Sequence, residues 1–203
     1  SSKGFFQNYL NMNYRISACR YFGNGKEEGD FNEAGPNIET DGWGLVLWAA
    51  RNYLHYSCDS TWLDEPTWNG ESVMAVLEDI AENIEDYSAN GLPGSDTSIW
   101  EVHWDNRQIF TYSVGAQIRG LLDLRDIATW RDTPSIADTY LELATLFQTQ
   151  ATDTLVYKES FSLASHDGVA TNPNHADGST VEWLNWGLIV PQNTIYHGTL
   201  STY

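Results

Sequence analysis

"TDGWGLVLWAARNYLHYSC", residues 40–58, is the stretch on which the fold turns. Thr40 and Asp41 form a helix-opening pair, and the run behind them is mostly apolar. An acid at that position meets free backbone N–H groups and the positive end of the helix dipole. A helix apolar on most sides belongs inside a fold rather than on its surface, so an inner helix is expected over residues 42–57.

Working outward, helical periods dominate. Val73, Val76, Leu77, Ile80, Ile84 and Tyr87 fall on one face, opposite Glu78, Asp79, Glu82 and Glu85. That amphipathic helix is expected to close at "SANG", with Gly91 as a left-handed cap. A second inner helix is expected near 108–130, carrying Phe110, Val114, Ile118, Leu121, Leu122 and Ile127. Thr133-Pro134 opens another, through Ile136, Tyr140, Leu141, Ala144 and Phe147. "GSTVEWLNWGLI" reads as a short helix, and "TLVYKESFSLA" is the one plausible extended stretch. The connections at 23–40, 58–71, 88–98 and 165–179 are long and rich in Gly, Asn, Pro and Asp. Helices joined by long polar loops imply an all-α domain whose loops carry function.

Composition narrows the partners. The chain has 203 residues and a formal net charge of -18. A field of that sign repels phosphate, so neither nucleic acid nor anionic membrane is an expected partner. No apolar run reaches the roughly 18 residues of a membrane helix. Nine Trp and eleven Tyr suit both a large aromatic core and stacking surfaces for sugar rings. Cys19 and Cys58 match no metal motif; they fit either one disulfide or two buried thiols. Start at Ser1 without an initiating Met suggests a mature or excised piece, and a secreted one is expected. His166, His175 and Asp177 are the one local group with metal-binding residue types, a weak signal; no metal or cofactor is expected.

Carboxylates beside tryptophans are the stronger signal. "GDFNEAGPNIETDGWG" and "GLPGSDTSIWEVHWDN" each place an acid next to a Trp at a helix entrance. The plain reading of Asp41 is a helix N-terminal carboxylate. Glu101 lies between Trp100 and Trp104, and apolar walls there would raise its pKa, as a general acid for glycosidic cleavage requires.

These segments resemble a known family. "SIWEVH…QIFTYS" is similar to the general-acid segment of the glucoamylase family, glycoside hydrolase family fifteen. "DFNEAGPNIETDGWG" resembles that family's earlier substrate loop, and "NHADGSTVEWL" a later loop; the order and separations are similar. The resemblance implies part of an (α/α)6 barrel, a six-hairpin toroid, with the site where the inner helices begin. It implies inverting exo-action on starch-type α-glucans. By position, Glu101 would be the proton donor, Asp41 would line the sugar site, and Trp100 would support the acid. His103 could meet a sugar hydroxyl, and Asp177 would order the later loop. Several family features are absent: the upstream Arg-Asp pair, the Trp before the Gly-x-Pro run and the third-loop Arg, near whose place Pro173 stands; Val102 replaces a Glu. The family's general base lies beyond the last residue here. The expectation is therefore a single partial catalytic domain over 1–203, inactive alone and partnered by an α-glucan and by the remainder of its own domain. The rival expectation is a non-catalytic glycan-binding or assembly unit.

Overall fold

The computed structural model describes residues 31–32, 35–36, 38–67, 69–172 and 174–202. Cys19, Pro173 and, in the earlier loop, Asp30, Glu33, Ala34 and Asn37 lie outside them. The helices are α1 (Asp41–Ser57), α2 (Val73–Asp86), α3 (Thr111–Trp130), α4 (Pro134–Thr154), a short α5 (Glu182–Asn185) and α6 (Thr194–Thr202). Three antiparallel pairs of two-residue strands punctuate the loops: β1–β2 (Phe31–Asn32, Gly35–Pro36), β3–β4 (Ser88–Ala89, Leu92–Pro93) and β5–β6 (Val156–Tyr157, Ser162–Leu163). The array is all-α, as expected.

α1 and α3 form the inner pair, and they run parallel. The start of α1 faces the start of α3, since the Asp41 charge acts on Tyr112. Midway, Gly44 lies against Ala116 and Gly120; a Cβ on Gly44 would sit 2.1 Å from the Ala116 carbonyl oxygen. Farther on, Arg51 meets Asp123 and stacks 5.5 Å over Trp130. Glycine on both sides lets two backbones touch, which fixes the axial register of the pair. α4 turns back along α3 through a tight connection in which Thr133 N–H donates to the Ala128 carbonyl and Asp132 takes a φ of 56°. An inner helix followed by an outer helix returning is the repeating hairpin of an α/α toroid.

Packing explains the pattern of each helix. α3 is buried nearly all round: Ile118, Leu121, Leu124 and Ile127 are fully enclosed. α2 buries Leu77, Ile80, Ala81 and Ile84, the stripe its periodicity predicts. Ser72 caps it, its Oγ accepting from Ala75 N–H at 3.1 Å. α4 departs from expectation. Its inward face is Ala137, Ala144, Phe147 and Ala151, while Ile136 and Leu141 are exposed. Alanines allow a close approach to α3, so the small residues rather than the large ones mark the contact face.

Two caps also differ. α2 ends on Tyr87, and Gly91 instead forms a hairpin turn with Asn90, at φ 56° and 77°. Ala89 pairs with Leu92, so Asn-Gly is a two-residue loop with both residues left-handed, the type I′ geometry. Thr40 precedes α1 but its side chain does not cap it; the hydroxyl turns to another acceptor described below.

Candidate functional site

The site lies at the end of the array where α1 and α3 begin. The segment 96–108 is a loop closed at its neck by backbone bonds between Asp96 and Gln108, in both directions. Just inside the neck, the Thr97 N–H and hydroxyl both donate to the Ile38 carbonyl, at 2.9 and 2.8 Å. The loop that carries Glu101 is therefore fastened to the residues that lead into Asp41. Both acids stand on the same end, next to loop-to-helix junctions.

Within the loop, Glu101 N–H donates to the Ser98 carbonyl and Val102 N–H to the Thr97 carbonyl. Ser98 and Glu101 both take positive φ, 53° and 48°. Left-handed backbone at two non-glycine residues costs energy and persists only where surroundings dictate it. The turn lifts Trp100 and Glu101 to the surface and drives Trp104 inward. Trp104 is 8% exposed, beneath the Arg107 guanidinium at 4.4 Å, whereas Trp100 is 54% exposed. Glu101 is exposed too. The expected enclosure of Glu101 between two indoles is thus not formed: neighbours in sequence diverge when the turn between them is left-handed.

Trp100 is held from the side. Its indole N–H donates to Asp177 Oδ2 at 3.0 Å. Asp177 is also the N-cap of a 3-10 turn, Gly178–Val181, its Oδ1 accepting from Ser179 N–H at 3.0 Å. One carboxylate thereby orders the later loop and braces the exposed tryptophan. His103 is exposed and faces Asp105, 3.9 Å away. His166 and His175 do not converge with Asp177. His175 is buried, stacked on Tyr157 and bonded to Ser162, and His166 packs on Phe110.

Desolvation falls on two other carboxylates. Asp41 is 4% exposed, and its Oδ1 has no hydrogen-bond partner. Burial first, and then the charge of Asp96, raise its pKa from 3.8 to about 7; backbone N–H groups of Asp41 and Gly42 pull the other way. Asp96 is 1% exposed, and burial raises it to about 6 against the hydrogen bonds it accepts. Those bonds come from Thr40 N–H and Thr40 Oγ1, both 2.9 Å, from Ser113 Oγ at 3.1 Å, and from the Ser98 backbone. Gln117 Nε2 completes the cluster, donating to Thr40 Oγ1 at 2.9 Å. The donors to Asp96 oppose the rise that its burial causes. Beside them Tyr112, raised by burial and by the charges of Asp41 and Glu182, packs on Trp186. Near neutral pH this end presents a carboxyl able to hold a proton, a second acid on an exposed loop, and aromatic surface.

Sequence reasoning passed over Asp96, Ser113 and Gln117. Asp96 sits in "GSDTS", which reads as flexible loop; the Asp flanked by hydroxyl residues was the available sign of a local hydrogen-bonded turn. A concavity of about 180 Å³ lined by Leu54, Cys58, Leu63 and Trp130 lies at the opposite end of α1 and α3 and contains none of these acids.

No protein-family profile matches the chain, and no curated protein matches it. Solved structures do. A variant of a glycosidase superposes with a TM-score of 0.63 at 18% identity, over 84% of this chain and 41% of that one. A wild-type glycosidase gives 0.59 at 20% identity, over 84% and 41%. A rhamnosidase from Klebsiella oxytoca with rhamnose bound gives 0.60 at 14% identity, over 81% and 30%. The chain has the fold of these helical glycosidases and spans less than half the length of each.

Proposed function

We propose that this chain carries the proton-donor side of a glycoside hydrolase site of the glucoamylase type, acting with inversion on the non-reducing ends of α-glucans. The observation that carries the reading is the shared placement of Asp41, Trp100, Glu101 and Asp177 at the end where the inner helices begin. Glu101 is exposed on a loop whose backbone is fixed, so it is open to a glycosidic oxygen. Trp100 offers an apolar wall braced by Asp177. Asp41, with its unpartnered oxygen and a pKa near 7, can accept from or donate to a sugar hydroxyl. His103 stands on the rim of the same loop.

An inverting enzyme places a second carboxylate about 6.5–9.5 Å from the first, with water between. That base belongs to the remainder of the domain, which this reading takes as the chain's necessary partner. The same reading puts the whole protein outside the cell. A non-catalytic sugar-binding unit is the second reading, favoured by the exposure of Glu101 and by the absence of the family's sugar-gripping Arg from the matching positions.

The test is Glu101→Gln in the full-length protein. On maltose, kcat is expected to fall about 10²–10⁴-fold, since Gln cannot protonate the departing oxygen. On an α-glucoside with an activated leaving group the loss should be far smaller. Wild-type turnover of maltose would remove Glu101 from catalysis and leave the binding reading.

A further inference from the structure

The Asp96 side chain lies where three separate segments meet. Its Oδ2 accepts from the backbone and hydroxyl of Thr40, ahead of α1; its Oδ1 accepts from Ser113 in the first turn of α3; and Ser98 within the loop donates its N–H. Its own backbone closes the loop neck against Gln108. Loops with closed necks owe their shape to what packs inside them. Here the interior holds two left-handed residues, Ser98 and Glu101, and the second bears the proposed proton donor. Among the described residues its donors are neutral: Thr40 ahead of α1, Ser98 within the loop and Ser113 in α3.

We propose that Asp96 is a positioning residue: its carboxylate locks the neck of the 96–108 loop to the starts of α1 and α3, and so sets where Glu101 stands relative to Asp41. This rests on the reading of Glu101 as proton donor for its catalytic consequence, but not for its structural one. An acid must meet the oxygen within hydrogen-bond reach, and a displacement of about 1 Å can cost on the order of a hundredfold in rate. A lock that accepts four donors holds that position more tightly than one backbone bridge could. Asn at the same place has one acceptor oxygen, and its amide group would confront N–H donors from Thr40 or Ser98.

The experiment is Asp96→Asn in the full-length protein, with amide hydrogen exchange resolved over residues 97–102 and over 118–128 in the core of α3. Exchange in 97–102 is expected to quicken roughly tenfold or more, while 118–128 stays within about threefold of wild type. On maltose, kcat should drop with KM little changed. Unaltered protection in 97–102 would overturn the proposal. Equal quickening in both regions would overturn it as well, because that is the signature of general destabilisation. Should the Asn variant fail to fold, Ser113→Ala and Thr40→Val each remove one donor and are expected to give the same pattern at smaller size. No selective effect from either defeats the idea. The exchange result needs no turnover, so an active Glu101→Gln enzyme would discard the proton donor while leaving the lock to be judged separately.

Discussion

Buried carboxylates occur at two levels along the α1–α3 pair, and their companions differ in kind. Toward the far end, Asp123 is 2% exposed and faces cations: Arg119 grips it through Nε at 2.8 Å and Nη2 at 2.5 Å, and Arg51 lies 3.6 Å away. Burial raises its pKa, and the Arg119 bonds and both guanidinium charges oppose that rise. At the near end, Asp41 feels the charge of Asp96, and among the described residues Asp96 takes its hydrogen bonds from hydroxyls and backbone N–H groups rather than from cations. The first arrangement neutralises charge inside the fold and serves helix packing. The second sets two buried carboxyl groups near each other, and burial together with the Asp96 charge raises the proton affinity of Asp41. One pair of helices thus carries a cation-paired acid and, a few turns away, an acid whose burial raises its proton affinity.

The severest way to break this contrast is at the crossing between the two levels. Gly44→Ala drives a Cβ against the Ala116 carbonyl, so the helices must separate at both levels together. A loss of about 3 kcal/mol or more is expected by urea unfolding, as for overpacked cores at their worst. Next comes Arg119→Met, which leaves Asp123 buried with Arg51 alone. Arg119 is 22% exposed, so roughly 2–3 kcal/mol is expected rather than the full cost of an orphaned interior charge. Unchanged stability would show that the cation was not offsetting the carboxylate.

The smallest effect has the opposite sign. Asp41 has a folded-state pKa of about 7 against an ordinary 3.8, so between those values the native state keeps a proton that the unfolded chain has lost. Protons bound are fewer in the unfolded state, and stability must fall as pH rises through that window. Asp41→Asn removes the penalty: a gain in stability at pH 8, little change at pH 4, and a flatter profile between. Parallel profiles for variant and wild type would mean that Asp41 does not carry the perturbed proton.

The helices were legible because burial is periodic. Residues 42–57 were expected and Asp41–Ser57 is found; Pro134 starts its helix as its fixed φ predicts. What failed was chemistry decided at a distance. Asn90-Gly91 followed a helix, and only the pairing of Ala89 with Leu92 makes it a hairpin. On α4 the expected Ala144 and Phe147 do face inward, but Ile136 and Leu141 are exposed and Ala137 and Ala151 are buried in their stead, because close approach to α3 is invisible from α4 alone. α6 (Thr194–Thr202) was missed; it has a weak apolar stripe, and its Thr199 is buried through a bond to the Leu163 N–H. In the site, the shared end of Asp41 and Glu101 could be read from loop-helix junctions. The walls around Glu101 could not, because two positive φ values decide which way Trp100 and Trp104 point.

The bond from Trp100 to Asp177 joins positions 77 residues apart. During synthesis the loop bearing Glu101 emerges well before its brace exists. The inner helices can pack on each other first, guided by Gly44 and its neighbours, while the exposed indole still lacks its acceptor. The wall is complete only once the segment bearing Asp177 has emerged and folded against the loop.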